Sequence, residues 1–320
     1  MDKLDQRRNH QIKGMRALLA VVLLLAGIVL LAACSSEQPA QQDKRAVPSA
    51  SKAEESVAAS EAAAIREELA QSAQAASNPA GWAITLKLDQ QLDENGQPSK
   101  MNMTSEGPVR REPLQLKQTI ISEYGGETSK METILTPDGY YMHDMTSDDW
   151  TRMAKSVIPQ VKETLSDYQI MPSEPIERLA TASEKLQRTT TADGGQIQYV
   201  YTGDGKDAGA RALIDDILRG TFGGSAMTQE VVDSIAVEQF EYKQSIDAQT
   251  KLPAKVGLKL ELTIELQAGH RSKLSETLDV SYSKWNESTA ITVPDSAKQA
   301  EEVTPPTPEQ LEEVDRLLGQ

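Results

Sequence analysis

Between Trp82 and Leu88 apolar and polar residues alternate, with Trp82, Ile84, Leu86 and Leu88 on one side. Period two is the signature of a strand with one buried face. The same alternation returns without an error at Val256, Leu258, Leu260, Leu262, Ile264 and Leu266, set against Gly257, Lys259, Glu261, Thr263 and Glu265. That run would extend about 35 Å at about 3.3 Å per residue, long for a strand. It predicts the middle member of three strands. Ile235–Ile246 precedes it across the turn Asp247–Pro253, and Leu274, Leu278, Val280 and Tyr282 follow the turn at Gly269-His270. Turn signals at Asn95-Gly96, Gly125-Gly126 and Pro137-Asp138-Gly139 divide residues 82–145 into an antiparallel meander. Its later strands are marked by Met101 and Met103, then by residues 114–124, Lys130–Leu135 and Tyr140–Met145.

Elsewhere the period changes to that of a helix. Ser51-Lys52-Ala53-Glu54 has capping-box spacing, and Ala58, Ala62, Ile65, Leu69 and Ala73 form a stripe that Asn78-Pro79 ends. The middle of the chain reads as helical over Trp150–Tyr168, with Met153, Val157, Val161 and Leu165 in phase and Pro159 kinking or restarting the run. Ser173–Leu186 and Ala208–Arg219 are two more helical stretches, with a strand at Gln196–Tyr201 between them and a break at residues 221–225. A long sheet face that is apolar on one side needs a cover, and these helices are the available material. The fold class expected is therefore α+β, a large curved antiparallel sheet with helices packed on its concave face. Pro294 should stop the last strand. Residues 299–320 read as an acidic, Pro-rich tail with a short helix at Leu311, Val314 and Leu318.

The N-terminus has a different character. Lys3, Arg7, Arg8, Lys13 and Arg16 precede seventeen uncharged residues, Ala17–Ala33, and the run ends at Leu31-Ala32-Ala33-Cys34. This is the layout of a secretory signal. The alternative is an uncleaved anchor, since the apolar run approaches the length that spans a bilayer. Leu31-Ala32-Ala33-Cys34 resembles a bacterial lipobox. The resemblance implies cleavage after Ala33 and a diacylglycerol on Cys34, the single cysteine of the chain. Residues 1–33 would then be a lipoprotein signal peptide, 34–50 a flexible tether and 51–298 the folded domain. The protein would sit at the cell membrane, lipid-anchored, on its extracytoplasmic face.

Composition narrows the chemistry. The 320 residues carry 33 Lys and Arg against 48 Asp and Glu, a formal net charge of −15. That balance repels polyphosphate, so no nucleic-acid partner is expected. One cysteine excludes an internal disulfide framework, and histidines at 10, 143 and 270 leave little for a metal or for His-based catalysis. No phosphate-binding loop, zinc-protease motif or nucleophile elbow occurs. Ser49-Ala50-Ser51-Lys52 matches Ser-x-x-Lys only by spelling, within the tether. Asp144, Asp148 and Asp149, like Asp93-Glu94-Asn95-Gly96, lack the spacing of a calcium loop. Tyr140, Tyr141, Trp150, Met142, Met145 and Met153 read as core packing before they read as a ligand pocket. The expectation is no enzyme, no metal and no cofactor.

Three local patterns carry a further likeness: Thr136–Tyr141 followed by Trp150, the turn Asp247…Thr250-Lys251-Leu252-Pro253, and the ending Tyr282-Ser283-Lys284-Trp285…Ile291-Thr292-Val293-Pro294. With the lipobox, tether, leading helix, meander and long terminal strands, this order is similar to the lipoprotein-carrier superfamily of LolA-like and LppX-like half-barrels. It resembles most the uncharacterised Gram-positive lipoproteins of that superfamily, over roughly residues 62–298. The resemblance implies a half-barrel cavity that takes acyl chains. Candidate lining residues are Trp82, Ile84, Leu86, Val256, Leu258, Leu260, Leu262, Ile264, Leu266, Leu278, Val280 and Tyr282. The chain departs from the pattern in its 2 Phe, 3 Trp and 8 Tyr, few for its length, and in its alanine-rich leader and added tail. The alternative function is a cell-envelope assembly or sensing scaffold that binds a protein partner and holds nothing inside. A solute-binding lipoprotein would need strands alternating with helices throughout, and the three consecutive strands at the end count against it.

Overall fold

A computed structural model describes residues 52–94, 96–223, 226–267, 269–287 and 290–303. Cys34, the signal and tether at 1–50, and the stripe at Leu311, Val314 and Leu318 lie outside the described residues. Helix α1 (Lys52–Ala76) leads into a meander of six strands: β1 (Gly81–Glu94), β2 (Gln97–Arg110), β3 (Gln115–Tyr124), β4 (Glu127–Thr136), β5 (Gly139–Asp144) and β6 (Asp149–Met153). Three helices follow, α2 (Ile158–Glu163), α3 (Asp167–Ile170) and α4 (Glu174–Thr181), then strands β7 (Leu186–Thr190) and β8 (Gln196–Tyr201). Helices α5 (Ala208–Phe222) and α6 (Gln229–Ser234) precede the long strands β9 (Ala236–Asp247), β10 (Pro253–Gln267) and β11 (His270–Ser283). Helix α7 (Asp295–Lys298) and strand β12 (Glu301–Val303) complete the described chain.

All twelve strands belong to one sheet, in the order β12-β6-β5-β4-β3-β2-β1-β11-β10-β9-β8-β7. Two meanders are zipped together where β1 pairs antiparallel with β11, Leu86 opposite Val280 and Leu88 opposite Leu278. The sheet is curved and unclosed, with β12 and β7 at its two edges, so the architecture is an α+β half-barrel. Every pairing is antiparallel except the short β12–β6 pair. Register shifts in β10 near Pro253, Glu261 and Ile264 are the local bends through which such a long strand follows a curved surface.

The alternation decides which side is inside. On β10, Val256, Leu258, Leu260, Leu262 and Ile264 are buried, while Lys255 and Lys259 are exposed. A slip of one residue would turn that apolar row outward, so burial itself fixes the register. The concave side holds α1, α4, α5 and α6. Ile65, Leu69, Leu179, Leu213, Ile214 and Leu218 from the helices share a single hydrophobic cluster with the inward residues of β1 and β8–β11. Helix α1 lies on α4, and its alanines at 62, 73 and 76 permit close approach; Ala58 is exposed, upstream of the part that meets a partner. A smaller cluster on the other side joins Ile134, Tyr141 and Trp150 to Ile291, Val293 and Ala297, so the segment after β11 straps the outer face of β4–β6.

Three expectations about elements are corrected. Residues 149–153 form strand β6, with Trp150 opposite His143, and helical structure begins only after it, a 3₁₀ turn at Lys155–Val157 leading into α2 at Ile158. Five residues satisfy either period, and pairing with β5 wins; Pro159 opens α2 from its first turn, where a missing N–H costs nothing. The last long strand ends at Ser283, before Lys284 and Asn286 take positive φ, and Pro294 is instead the N-cap of α7. Strands β7 and β12 give no periodic signal, and β12 adds a strand from the segment read as tail.

Candidate functional site

The inward face of β1, β11, β10 and β9 is the centre of the molecule. Trp82, Ile84, Leu86, Val256, Leu258, Leu260, Leu262, Ile264, Leu278, Val280 and Tyr282 all lie on it and are all buried, and Leu266, at its end, is partly buried against the same cluster. The structure therefore brings the whole candidate set together in one contiguous surface. It also fills the space above that surface. Leu260, Leu262, Ile264 and Leu274 are 0% exposed because α5 and α6 pack onto them. Two open hollows, of about 510 and 400 Å³, lie elsewhere. One is bounded by Pro98–Lys100 and Glu123–Gly126, the other by Ser77–Ala80 and Arg110–Glu112, and neither is lined by β10 or β11.

Polar groups inside this core bind the helical cover to the sheet. Trp82 donates from Nε1 to the Gln169 carbonyl at 3.2 Å, and Tyr282 donates its hydroxyl to the Tyr168 carbonyl at 2.8 Å, so β1 and β11 both hold α3. Gln169 also closes a capping box with Ser166 and donates to Gln118 Oε1 at 2.9 Å; Ser105 donates to the same oxygen. Burial pushes the phenols of Tyr168, Tyr242 and Tyr282 well up, which keeps them protonated as donors. Arg178 of α4 bonds Asp167 at 2.7 Å and lies 3.3 Å from Asp216 of α5, tying three helices together. Burial outweighs Arg178 at Asp216 and pushes its carboxyl up to about 7.

Helix α5 is pinned to the sheet at each end by a carboxylate. At its start, the N-cap Asp207 accepts from Ala210 N at 3.0 Å and from the Tyr201 hydroxyl. At its last turn, Thr221 donates to Glu276 Oε2 at 3.0 Å. Between the pins the underside is apolar: Ala210, Leu213, Ile214, Ile217 and Leu218. Glu276 points inward from β11 and is 2% exposed, with its carboxyl pushed up to about 7 by burial. The candidate set drawn from the alternation skips it. Its signal was a charged residue at an inward position, between Leu274 and Leu278. Gln90 opposite it on β1, and Ser105 and Gln118 further round, carry the same kind of signal.

Tyr140, Met142 and Met153 pack with Val157 and Val303 at the β12 end of the sheet, whereas Tyr141 and Trp150 face the outer strap. Trp150 stacks on His143 with ring centroids 4.5 Å apart, and Met145 is exposed. Among the described residues no group of three His, Cys, Asp or Glu side chains is placed to hold a metal ion, and no helix is long and apolar enough to cross a membrane.

No curated protein matches the chain. Solved structures similar to it include three from different bacteria. LprF from Mycobacterium bovis is 14% identical, covering 72% of this chain and 97% of its own, with a TM-score of 0.36. A DUF1329 family protein from Desulfovibrio piger is 7% identical, covering 72% and 95%, with a TM-score of 0.22. An outer membrane lipoprotein-sorting protein domain from Vibrio parahaemolyticus is 10% identical, covering 74% and 97%, with a TM-score of 0.20. A family model matches residues 66–302, which runs from α1 through the whole sheet to β12. The chain belongs to the family of unknown function DUF6612.

Proposed function

We propose that this is a non-enzymatic, membrane-tethered binding protein of the cell envelope, held at the extracytoplasmic face by a lipid on Cys34. Its concave sheet face receives an apolar ligand, a lipid in the simplest case, when the helices above it move aside. One observation carries the reading: the inward surface across β1, β11, β10 and β9, apolar around Glu276, is covered by separate helices joined by loops and not by a second sheet. A second sheet would make such a core permanent. Helices joined by loops can shift without breaking a strand ladder.

A second reading has its own observation. The concave face is already filled, and a filled half-barrel serves equally as a rigid scaffold for an envelope protein. One experiment separates the two. The full-length protein and its Cys34→Ala variant are purified, and their extracted lipids are quantified by mass spectrometry. With the thiol gone, the covalent lipid should vanish and the protein should leave the lipid-extractable fraction. A lipid still recovered with the variant near one per chain supports the binding reading. A variant that extracts clean supports the scaffold, and labelled fatty acid still entering the variant refutes the anchor.

A further inference from the structure

If the concave face binds a ligand as proposed above, its one charged inward group bears on which ligand it selects. Among the described residues, Glu276 is the one carboxylate or cationic side chain at the buried inward positions of β1, β8, β9, β10 and β11. Its row across the sheet is Gln90 on β1, Glu276 on β11 and Leu260 on β10. The rows on either side are apolar: Leu88, Leu278 and Leu258 on one, Leu92, Leu274 and Leu262 on the other. A carboxyl in such surroundings weakens the fold, since a leucine of similar size would pack there without the loss of hydration. Its single side-chain hydrogen bond is to Thr221, a neutral hydroxyl, and among the described residues no cation balances it. A carboxyl offers about four acceptor directions, so one Thr leaves most of that capacity for another donor.

Thr221 also sits where the cover ends. It lies in the last turn of α5, next to half-buried Phe222, and Gly223 follows as the C-cap with φ +83°. Releasing Thr221 frees both the carboxyl and the end of the helix in one step.

We propose that Glu276, with Gln90 beside it, is the head-group subsite of the concave face, and that it selects amphiphiles whose heads donate hydrogen bonds, hydroxyl or ammonium, over those with anionic heads. The donor of the head replaces the Thr221 hydroxyl, and the apolar chain replaces the underside of α5 on β10 and β11. An anionic head meets a like charge with no basic inward residue of these strands to offset it, and is turned away.

The test uses photoactivatable long-chain diazirine probes with an amine, a hydroxyl or a carboxylate head. Each is presented to the full-length protein in its membrane at pH 8, and labelled peptides are mapped by mass spectrometry. Amine and hydroxyl probes should label peptides of β10 and β11 at least about tenfold more than the carboxylate probe, the size of effect a nearby charge has on an ionisation equilibrium. Glu276→Gln should collapse that preference, with the carboxylate probe labelling β10 and β11 as strongly as the other two. Thr221→Val, which removes the competing hydroxyl and keeps the carboxyl, should raise labelling and keep the preference. Equal head preference in wild type and Glu276→Gln, or a carboxylate probe that labels best, overturns the inference and leaves the binding reading standing. No labelling of β10 and β11 by any probe overturns both. Circular dichroism of each variant confirms that the comparison is between folded proteins.

Discussion

Replacing Glu276 by glutamine should stabilise the protein, and only at neutral and higher pH. In the native state burial raises the carboxyl from its ordinary 4.5 to about 7, against a single hydrogen bond from Thr221 that lowers it. A carboxyl raised on folding is more protonated in the native chain than in the unfolded one between those values. Stability therefore falls as pH rises through that window and stays reduced above it. At about 1.4 kcal/mol per pH unit the full penalty is about 3 kcal/mol. Glutamine keeps an oxygen for Thr221 and has nothing to ionise. For a domain of this size, about 3 kcal/mol corresponds to a rise in Tm on the order of 5–10 °C.

The assay is a pair of thermal melts by circular dichroism, wild type and Glu276→Gln, from pH 4 to pH 8.5. The curves should nearly coincide below pH 4.5 and separate through pH 7, with the variant higher. Asp216 is also raised to about 7, yet it is present in both proteins and cancels in the difference. A difference in Tm that is flat with pH would refute the reasoning, and so would a variant that is less stable at pH 8. Either result would mean that Glu276 is hydrated or compensated in the native state.

Leu260→Asp places a charge at a fully buried position between Phe240 and Glu276 and should cost several kcal/mol, whereas Glu261→Lys on the outer face should cost under about 1 kcal/mol. The second figure includes the loss of Lys273, 3.6 Å from Glu261, as an exposed ion-pair partner. Urea melts that give equal costs for the two would sink the one-sided sheet. Asp207→Ala removes the N-cap of α5 and leaves the Tyr201 hydroxyl without its acceptor. It should cost about 1–2 kcal/mol from the cap alone, with amide exchange accelerated first within Ala208–Phe222. Unchanged exchange in that helix would mean that Asp207 does not hold it.

Much of this architecture can be read directly from the residues. The β10 alternation decides which face is inward: a slip of one residue buries Lys255 and Lys259. The turns at Gly125-Gly126 and Gly269-His270 sit where positive φ is needed, which glycine supplies. The same logic fails where segments are short or one-sided. Residues 149–153 satisfy helix and strand alike, and only the partner strand β5 decides. Strand β7 buries Leu186 and exposes the other four residues, because an edge strand has little to cover. The candidate set also followed hydrophobicity alone, so it passed over Glu276. Strict period two makes that position inward. That Thr221, 55 residues away, would meet it depends on how α5 docks, which no local pattern encodes. Cys34 and the tail helix rest on sequence alone.

A filled concave face and a binding function are compatible on energetic grounds. Exchanging the apolar underside of α5 for an acyl chain swaps one hydrophobic contact for another over similar area, so the sheet itself is nearly indifferent. The cost lies in the polar links that hold the cover, at Tyr201–Asp207, Thr221–Glu276 and Arg178–Asp216, and in the apolar helix surface that opening exposes. Links of this kind contribute about 1–3 kcal/mol each, within reach of a ligand that binds only the open form. In water, exposing the helix underside costs more than breaking the links. Against a bilayer it costs less, because acyl chains cover the helix. A tether of residues 34–50 would keep the half-barrel within reach of that surface. On the binding reading proposed above, opening would be favoured where a lipid ligand resides, and the closed, filled form would persist away from it.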